Sequence, residues 1–212
     1  MSMRSLMSRL AVLLCALSLA AGCSGGGSGG GGGGGSGGDG GGGDAGGGGG
    51  PAAPPKPPEG YTLYKGDVYA FAHPSGWVFR TSTDDNNWPL VEGHPPNAAN
   101  DGSGGQVIVS RVDGYDGSMR DMMVQARAVN QVNGRRVVSE TAAKVAGARE
   151  ARRIETEYDA RFQGGLTVKI RSVDVYALTR NRTMLDLTVR GAQAKFDAAG
   201  LPQVVSSFTV LG

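Results

Sequence analysis

Cysteine is scarce in this chain: its 212 residues include only two, Cys15 and Cys23. Cys15 lies inside an N-terminal apolar run that we predict is removed, so the mature chain would keep Cys23 alone. One thiol cannot form an internal disulfide, which excludes the small disulfide-stabilised folds common among exported proteins. The fold must therefore be held together by an apolar core.

Histidine is equally rare, with only His73 and His94 present, and the sequence contains no H-E-x-x-H, P-loop or calcium-loop motif. His73 precedes a proline at a predicted strand end, which favours a structural role. His94 shares a predicted loop with three acidic residues that could complete a metal site: Asp84, Asp85 and Asp101. No spacing singles these residues out, so a solvated loop is the better interpretation. We therefore expect no catalytic set, no metal and no cofactor, and a protein that is not an enzyme.

An excess of charge of one sign is also missing. The chain has 21 basic and 19 acidic residues, and removal of a signal segment that contains Arg4 and Arg9 leaves 19 of each. A balanced domain lacks the basic surface that nucleic acids and anionic lipids require. We therefore expect no nucleic-acid partner.

No apolar run is long enough to cross a membrane, which needs about 20 residues. The run from Leu10 to Ala20 is shorter and begins after two arginines. Its last residue, Ala20, and the next two, Ala21 and Gly22, are all small. A positive start, a short apolar run and small residues at its end are typical of a secretory signal peptide. We predict that residues 1–22 are this signal.

Cys23 directly follows Leu19-Ala20-Ala21-Gly22, and here the segment resembles the bacterial lipoprotein family. That family's lipobox places an acylated cysteine first in the mature chain and prefers leucine three residues earlier, where this chain has Ala20. The resemblance implies that Cys23 carries fatty acids such as palmitate and holds the protein on the extracytoplasmic side of the cell membrane or outer membrane. Several chains would anchor it durably, at roughly 0.8 kcal/mol per buried methylene. The alternative is a simple signal peptide cut near the same place.

A tether follows over residues 23–59. Glycine fills 21 of the 27 positions from Ser24 to Gly50, and such a segment has too little apolar surface to offset its ordering entropy. Five prolines between residues 51 and 58 then stiffen the chain. The predicted tether would hold the following domain some 40–60 Å (order of magnitude) from the membrane.

The segment 60–212 has the size of one domain that could bury roughly 70% of its unfolded surface. Alternating apolar residues and turn signals predict short strands. They lie at 61–64, 68–72, 77–82, 106–112, 136–145 and 148–162, with further strands from 166 and around 185–189. Trp77 is expected to fill a core position.

One main helix is predicted to begin at Ser118, because Ser118 and Asp121 form a capping-box pattern and apolar residues then recur at helical spacing. Gly134 is expected to stop it. We predict a short helix over 192–199 and another starting at Pro202. These elements indicate an α+β fold: an antiparallel sheet of five to seven strands with one main helix and short C-terminal helices.

Two aromatic residues are candidates for partner binding. Residues 83–105 contain turn formers and Pro95-Pro96, which predict a long irregular loop, and loops of this length are often functional. Trp88 lies in this loop and either folds back onto the domain edge or contacts a partner. Tyr115, in the turn before the helix, is the second candidate if it is exposed.

The hairpin around residue 164 allows two registers. A two-residue turn would place Asp159 opposite Ile170, whereas a three-residue loop pairs Tyr158 with Ile170 and Asp159 with Lys169. The three-residue loop also pairs Glu157 with Arg171. Only the second register puts apolar side chains on one face and opposite charges on the other. The arginines of this region are therefore interpreted as a solvated sheet face. After Ser172 the apolar pattern changes phase, which suggests either a bulge or a strand buried on both faces.

The domain also resembles the PsbP-like fold, which photosystem-associated PsbP proteins share with a small Ran-binding factor and bacterial DcrB-like lipoproteins. Three features carry the resemblance: an aromatic-x-x-Pro-x-Gly-Trp start at residues 71–77, a single helix after the fourth strand, and the closing segment 205–208. The resemblance implies a scaffold that binds proteins, and it supplies no catalytic residues.

The sequence therefore favours a membrane-anchored envelope lipoprotein whose domain binds another envelope protein. The alternative is a carrier of an apolar or amphipathic small molecule held between helix and sheet.

Overall fold

The computed structural model describes residues 52–84, 86–96, 98, 104–162 and 165–211. The predicted signal peptide, Cys23 and the tether up to residue 51 lie outside the described residues. Residues 52–58 precede the first strand without regular secondary structure.

Ten strands occur in the described part of the chain, and they form two sheets. Their bounds are β1 Tyr61–Lys65, β2 Tyr69–Pro74, β3 Val78–Thr83, β4 Pro89–His94, β5 Gln106–Val112, β6 Arg136–Ala142, β7 Glu150–Arg161, β8 Thr167–Leu178, β9 Met184–Ala192 and β10 Thr209–Val210. The small sheet has the order β1-β2-β10, and the large sheet has the order β3-β4-β5-β9-β8-β7-β6. Every pairing between these strands is antiparallel, and an isolated parallel bridge joins Ala146 to Thr209 of β10. β3 and β6 are the edges of the large sheet.

Two helices pack against this framework, α1 (Met119–Val132) and α2 (Leu201–Ser207). Since side chains alternate along a strand, the large sheet divides the apolar core in two. On one face, the small sheet and α2 cover alternate residues of β4, β5, β8 and β9, including Val109, Val175 and Leu187. On the other face, α1 covers Ile154, Tyr176, Leu178 and Met184 with its methionines. The layers are therefore small sheet with α2, large sheet, and α1.

The predicted main helix is confirmed together with its caps. The Ser118 hydroxyl accepts a hydrogen bond from the Asp121 backbone N–H at 3.2 Å, and the Asp121 carboxylate accepts one from the Ser118 N–H at 2.9 Å. These bonds satisfy N–H groups that the first turn leaves without a helical partner. Gly134, with φ 63°, ends the helix where a left-handed residue is needed.

We expect Ser118→Ala to lower the free energy of unfolding by about 1 kcal/mol, because the cap then loses its acceptor. Chemical denaturation measures the change. Arg120→Ala, at an exposed position of the same turn, is the matched control and should stay within about 0.5 kcal/mol. Equal losses in the two variants would mean that the capping box does not stabilise α1.

The predicted α+β class is confirmed, with seven strands in the main sheet, but the predicted loop over 83–105 is wrong in part because β4 lies inside it. The flanking prolines indicated turns, yet Pro89 is tolerated as the first residue of a strand. Gly93 also indicated a turn, but it serves packing: a Cβ there would lie 2.2 Å from Cε1 of Phe79. β4 joins β3 to β5.

Two further differences concern the C-terminal part. The predicted helix over 192–199 is a single 3-10 turn, Gln193–Lys195, followed by turns to Gly200. α2 does begin beside Pro202, as predicted. β10 was not predicted, because its partner β2 lies far away in sequence and a two-residue strand has no pattern of its own.

The predicted register between β7 and β8 is confirmed, with Tyr158 opposite Ile170 and Asp159 opposite Lys169. β8 keeps this register without a bulge, and residues 172–178 are all buried. Of the two possibilities left open, the strand buried on both faces is therefore correct. The irregularity that the structure does contain lies in the edge strand β6, between Val137 and Ser139.

Candidate functional site

Trp88 occupies the tight turn between β3 and β4. Its backbone N–H donates to the Asp84 carboxylate at 2.9 Å, and its carbonyl accepts a hydrogen bond from the Asp84 N–H at 2.9 Å. The side chain is half-buried. Trp88 therefore sits on a fixed hairpin end rather than in a long loop, and its role in binding remains a proposal.

Tyr115 holds the start of α1 in place. Its N–H donates to the carbonyl of Arg182 at 2.7 Å, and its own carbonyl accepts from Nε of Arg182 at 2.9 Å. The half-buried ring packs against the apolar residues between α1 and the large sheet. Burial there raises the pKa of its hydroxyl. Tyr115 and Trp88 lie at the same end of the large sheet, because β4 begins where the antiparallel β5 ends. The contacts of Tyr115 favour a structural role.

The two histidines lie in different sheets. His73, in β2, is buried with its ring 4.5 Å from that of Phe79, and burial lowers its pKa. His94 ends β4, where its Nδ1 lies 2.8 Å from the carbonyl oxygen of Pro95. Asp85 and Asp101 fall outside the described residues. Among the residues that are described, no group of three His, Cys, Asp or Glu side chains could hold a metal ion.

A group of polar side chains lies on the α1-side face of the large sheet, and we name Thr156, Ser172, Asp174 and Asp186 the buried polar cluster. Thr156 stands opposite Ser172 across β7 and β8, and Asp174 follows two residues later on the same face. Asp174 is opposite Thr188 in β9, which lies two residues after Asp186. The register therefore places all four cluster residues on one face, across three neighbouring strands.

Four oxygen atoms of this cluster are shielded from solvent and have no hydrogen-bond partner among the described residues. They are Oγ1 of Thr156, Oγ of Ser172, Oδ2 of Asp174 and Oδ1 of Asp186. The other oxygen of Asp174 accepts a hydrogen bond from the Thr188 hydroxyl at 2.6 Å. Buried polar atoms are nearly always paired, and each unpaired one costs about 1–3 kcal/mol. Four on one face of three neighbouring strands mark this region as unusual.

Burial dominates the electrostatics of the two aspartates. It raises the pKa of Asp174, although the Thr188 hydroxyl, the guanidinium groups of Arg135 and Arg190 and the neighbouring Ser172 hydroxyl act against it. The Ser172 hydroxyl lies near this carboxyl but does not meet the geometry of a hydrogen bond to it. The pKa of Asp186 is raised well above its usual value, first by burial and then by the nearby charge of Asp174. Asp186 is partly exposed as a residue, yet its Oδ1 is shielded. Neither carboxyl forms a salt bridge in the described structure.

Polar contacts continue from the cluster towards the far edge of the same face. Nε of Arg190 donates to Oε1 of Gln106 at 2.6 Å, and the Gln106 amide donates to Glu92. Beyond Glu92 lies the part of the face that α1 does not cover. We name it the open sheet face, formed by Val78, Arg80, Ser82, Leu90 and Glu92. Val78 is 41% exposed there.

The opposite face carries a shallow groove of about 130 Å³ between α2 and the β7-β8 pair. Its two arginines are already paired: Arg153 and Arg171 each donate to the Glu155 carboxylate at 2.6 Å. Burial raises the pKa of Glu155, but these hydrogen bonds outweigh it and lower the pKa overall. The Arg171 guanidinium also lies 4.6 Å from the centre of the Phe196 ring. The groove therefore offers no free cation to an anionic ligand.

The predicted outer-face ion pair between Glu157 and Arg171 does not form, although the two residues stand opposite each other. Arg171 contacts Glu155 and Asp197, while Glu157 contacts Arg136. Arg171 reaches its diagonal neighbour Glu155, whereas Glu157 pairs with Arg136, which stands directly opposite it on β6.

Sequence reasoning missed the buried polar cluster. Asp174 and Asp186 alternate with valines and leucines, and this alternation normally places the polar residues in solvent. The available signal was the phase change in β8, since a strand buried on both faces must bury Asp174.

No helix in the described residues is both long and apolar enough to cross a membrane. No family model matches the chain. No curated protein matches it either.

Solved structures do resemble the domain. The solution structure of the cyanobacterial PsbP protein CyanoP from Synechocystis is 17% identical with a TM-score of 0.48, covering 71% of this chain and 92% of that one. The Ran-binding protein Mog1p of Saccharomyces cerevisiae is 14% identical, with a TM-score of 0.46 and coverages of 71% and 95%. LpqN of Mycobacterium tuberculosis, involved in cell envelope biogenesis, is 14% identical, with a TM-score of 0.45 and coverages of 72% and 91%. At these values the similarity concerns the outline of the fold and not function.

Proposed function

We propose that this protein is a lipid-anchored envelope protein whose folded domain binds another envelope protein. The observation that carries the anchor is the run Ala20-Ala21-Gly22-Cys23 at the end of a signal-like segment. Cys23 would be the single thiol of the mature chain, and acylation would explain why an exported protein keeps one cysteine that cannot form an internal disulfide. The glycine-rich tether would then let the domain reach a partner at a distance from the membrane.

The open sheet face supports a protein-binding role. β3 is an edge strand, and no strand of the described residues pairs with its outer side. Its backbone can therefore accept an extended segment from a partner, as in strand addition. The other edge, β6, carries a bulge, a device that discourages such pairing. The exposed Val78 and the charged Arg80 lie beside the free edge.

The carrier alternative has less support. α1 closes on the sheet through Met119, Met122 and Met123, all at most 3% exposed, and these pack against Ile154 and Met184. An apolar ligand between helix and sheet would have to displace this packed layer.

Site-specific photocrosslinking in the native host tests the binding proposal. A photoreactive residue at Ser82, exposed on β3, should give one discrete protein adduct in the envelope fraction. The matched control is the same residue at Arg120, exposed on α1, which should not give that adduct. The same adducts from both positions, or none from Ser82, would contradict binding through the open sheet face.

A further inference from the structure

We propose that the buried polar cluster is a hydrated proton-binding site, in which ordered water molecules pair with its four unpaired oxygen atoms and the Asp174–Asp186 pair keeps one exchangeable proton at neutral pH. This inference is independent of the anchor and of the partner.

Thr156 and Ser172 are cross-strand neighbours, and Ser172 and Asp174 share a face of β8. Thr156 and Ser172 are completely buried, and Asp174 is 3% exposed. Unpaired oxygens at neighbouring positions of one face suit a buried water, which makes about three hydrogen bonds to such groups.

Other occupants fit less well. An apolar guest would leave every oxygen unpaired, which costs as much as an empty site. A metal ion would find only two carboxylates, and the charges of Arg135 and Arg190 already act on Asp174. Water can both donate to a carboxylate and accept from a hydroxyl, so it satisfies both kinds of group in the cluster.

The proton follows from what surrounds the carboxyls. Asp186 stands opposite Tyr176 in β8 and Ser110 in β5, neither of which is a cation. The residues that α1 buries carry no titratable group: Met119, Met122, Met123, Ala126, Val129 and Asn130. Arg190 stands opposite Ser172 on the same face, but its Nε is engaged by Gln106, and neither carboxyl forms a salt bridge in the described structure. Two nearby carboxyls without a salt-bridge partner cannot both ionise cheaply, because like charges in a buried site disfavour each other. One of the two carboxyls therefore stays protonated. The raised pKa values of both carboxyls agree with this conclusion.

The raised pKa values determine how the stability of the domain changes with pH. Because the pKa values of Asp174 and Asp186 are raised on folding, the folded state binds more protons than the unfolded state above about pH 4. Stability from this pair is fully present below that pH and is lost as pH rises through the folded-state pKa values. Asp113 and Asp121, whose pKa values hydrogen bonds lower, act in the opposite direction in acid. The contribution of Asp186 is therefore obtained from the difference in stability between an Asp186 variant and the wild type at each pH.

The first test compares Asp186→Asn with the wild type, using the mature chain with Cys23→Ser in both. At pH 8 the unfolding equilibrium constant of the wild type should exceed that of the variant by at least about tenfold, the factor for each unit of pKa difference. At pH 4 the gap should close. Asp159→Asn, exposed on β7, is the control and should show no such pH-dependent gap. A ratio of unfolding equilibrium constants that is the same at both pH values would contradict a proton held by the Asp174–Asp186 pair.

The second test needs no variant that disturbs folding. In the wild-type domain, carbon-13 NMR of the aspartate carboxyls at pH 7 should show one of Asp174 and Asp186 with the shift of a protonated acid. Water–protein cross-relaxation should show a long-lived water beside the amides of Ser172 and Asp174, and Thr156→Val with Ser172→Ala should remove it. Two ionised carboxylates at pH 7, or no long-lived water in the wild type, would overturn the proposal.

Discussion

Phe71→Ala should lower the free energy of unfolding by about 3–5 kcal/mol, the range for removing a buried aromatic ring. Phe71 lies in β2 and is completely buried. Its ring centre is 5.2 Å from that of Tyr64 in β1 and 6.0 Å from that of Phe79 in β3. The ring therefore joins the small sheet to the large one, and its loss opens a cavity between two layers.

A domain of this size has about 5–15 kcal/mol of stability in total, so this loss is a large share. Urea denaturation followed by the fluorescence of Trp77 and Trp88 measures it. The control is Leu166→Ala, at a side chain that is 49% exposed, where we expect a change within about 0.5 kcal/mol. A loss of about 1 kcal/mol or less for Phe71→Ala would contradict the docking of the small sheet.

Cys23→Ser should move the protein from the membrane fraction to the soluble exported fraction. The acyl chains proposed on Cys23 supply the anchoring energy, roughly 0.8 kcal/mol for each buried methylene, and serine would not carry them. The expected change is close to complete, since one residue holds the whole attachment. Fractionation after an alkaline wash, with quantitative detection of the chain, measures it.

Cys15→Ser is the matched control, because Cys15 lies in the apolar run of the predicted signal. This variant should remain attached to the membrane. Retention of Cys23→Ser in the washed membranes, or equal release of both variants, would show that something other than Cys23 anchors the protein.

The sequence could predict features that depend on neighbouring residues. The capping box of α1 involves residues three apart, and the β7-β8 register was determined because both faces of one hairpin agreed on it. β4 was hidden because prolines and Gly93 looked like turn residues, while the contact that explains Gly93 is with Phe79 in another strand. β10 depends entirely on β2, which lies far away in the sequence.

The buried polar cluster was not predicted either, because its burial depends on residues far away in the sequence. Along the chain, Asp174 and Asp186 have the spacing of solvent-facing residues. Asp174 and one oxygen of Asp186 are shielded because α1 and the neighbouring strands cover that face of the sheet. Trp88 and Tyr115 could be identified as aromatic turn residues, but the hydrogen bonds that hold Tyr115 involve Arg182, which no local pattern connects to it.

The anchor is tested most directly by the intact mass of the protein extracted from membranes with detergent. We expect a chain that begins at Cys23 and is heavier than the unmodified sequence by the mass of its acyl groups. A mass equal to the unmodified chain from residue 23, or to a chain that still contains the residues before it, would contradict lipid anchoring through Cys23.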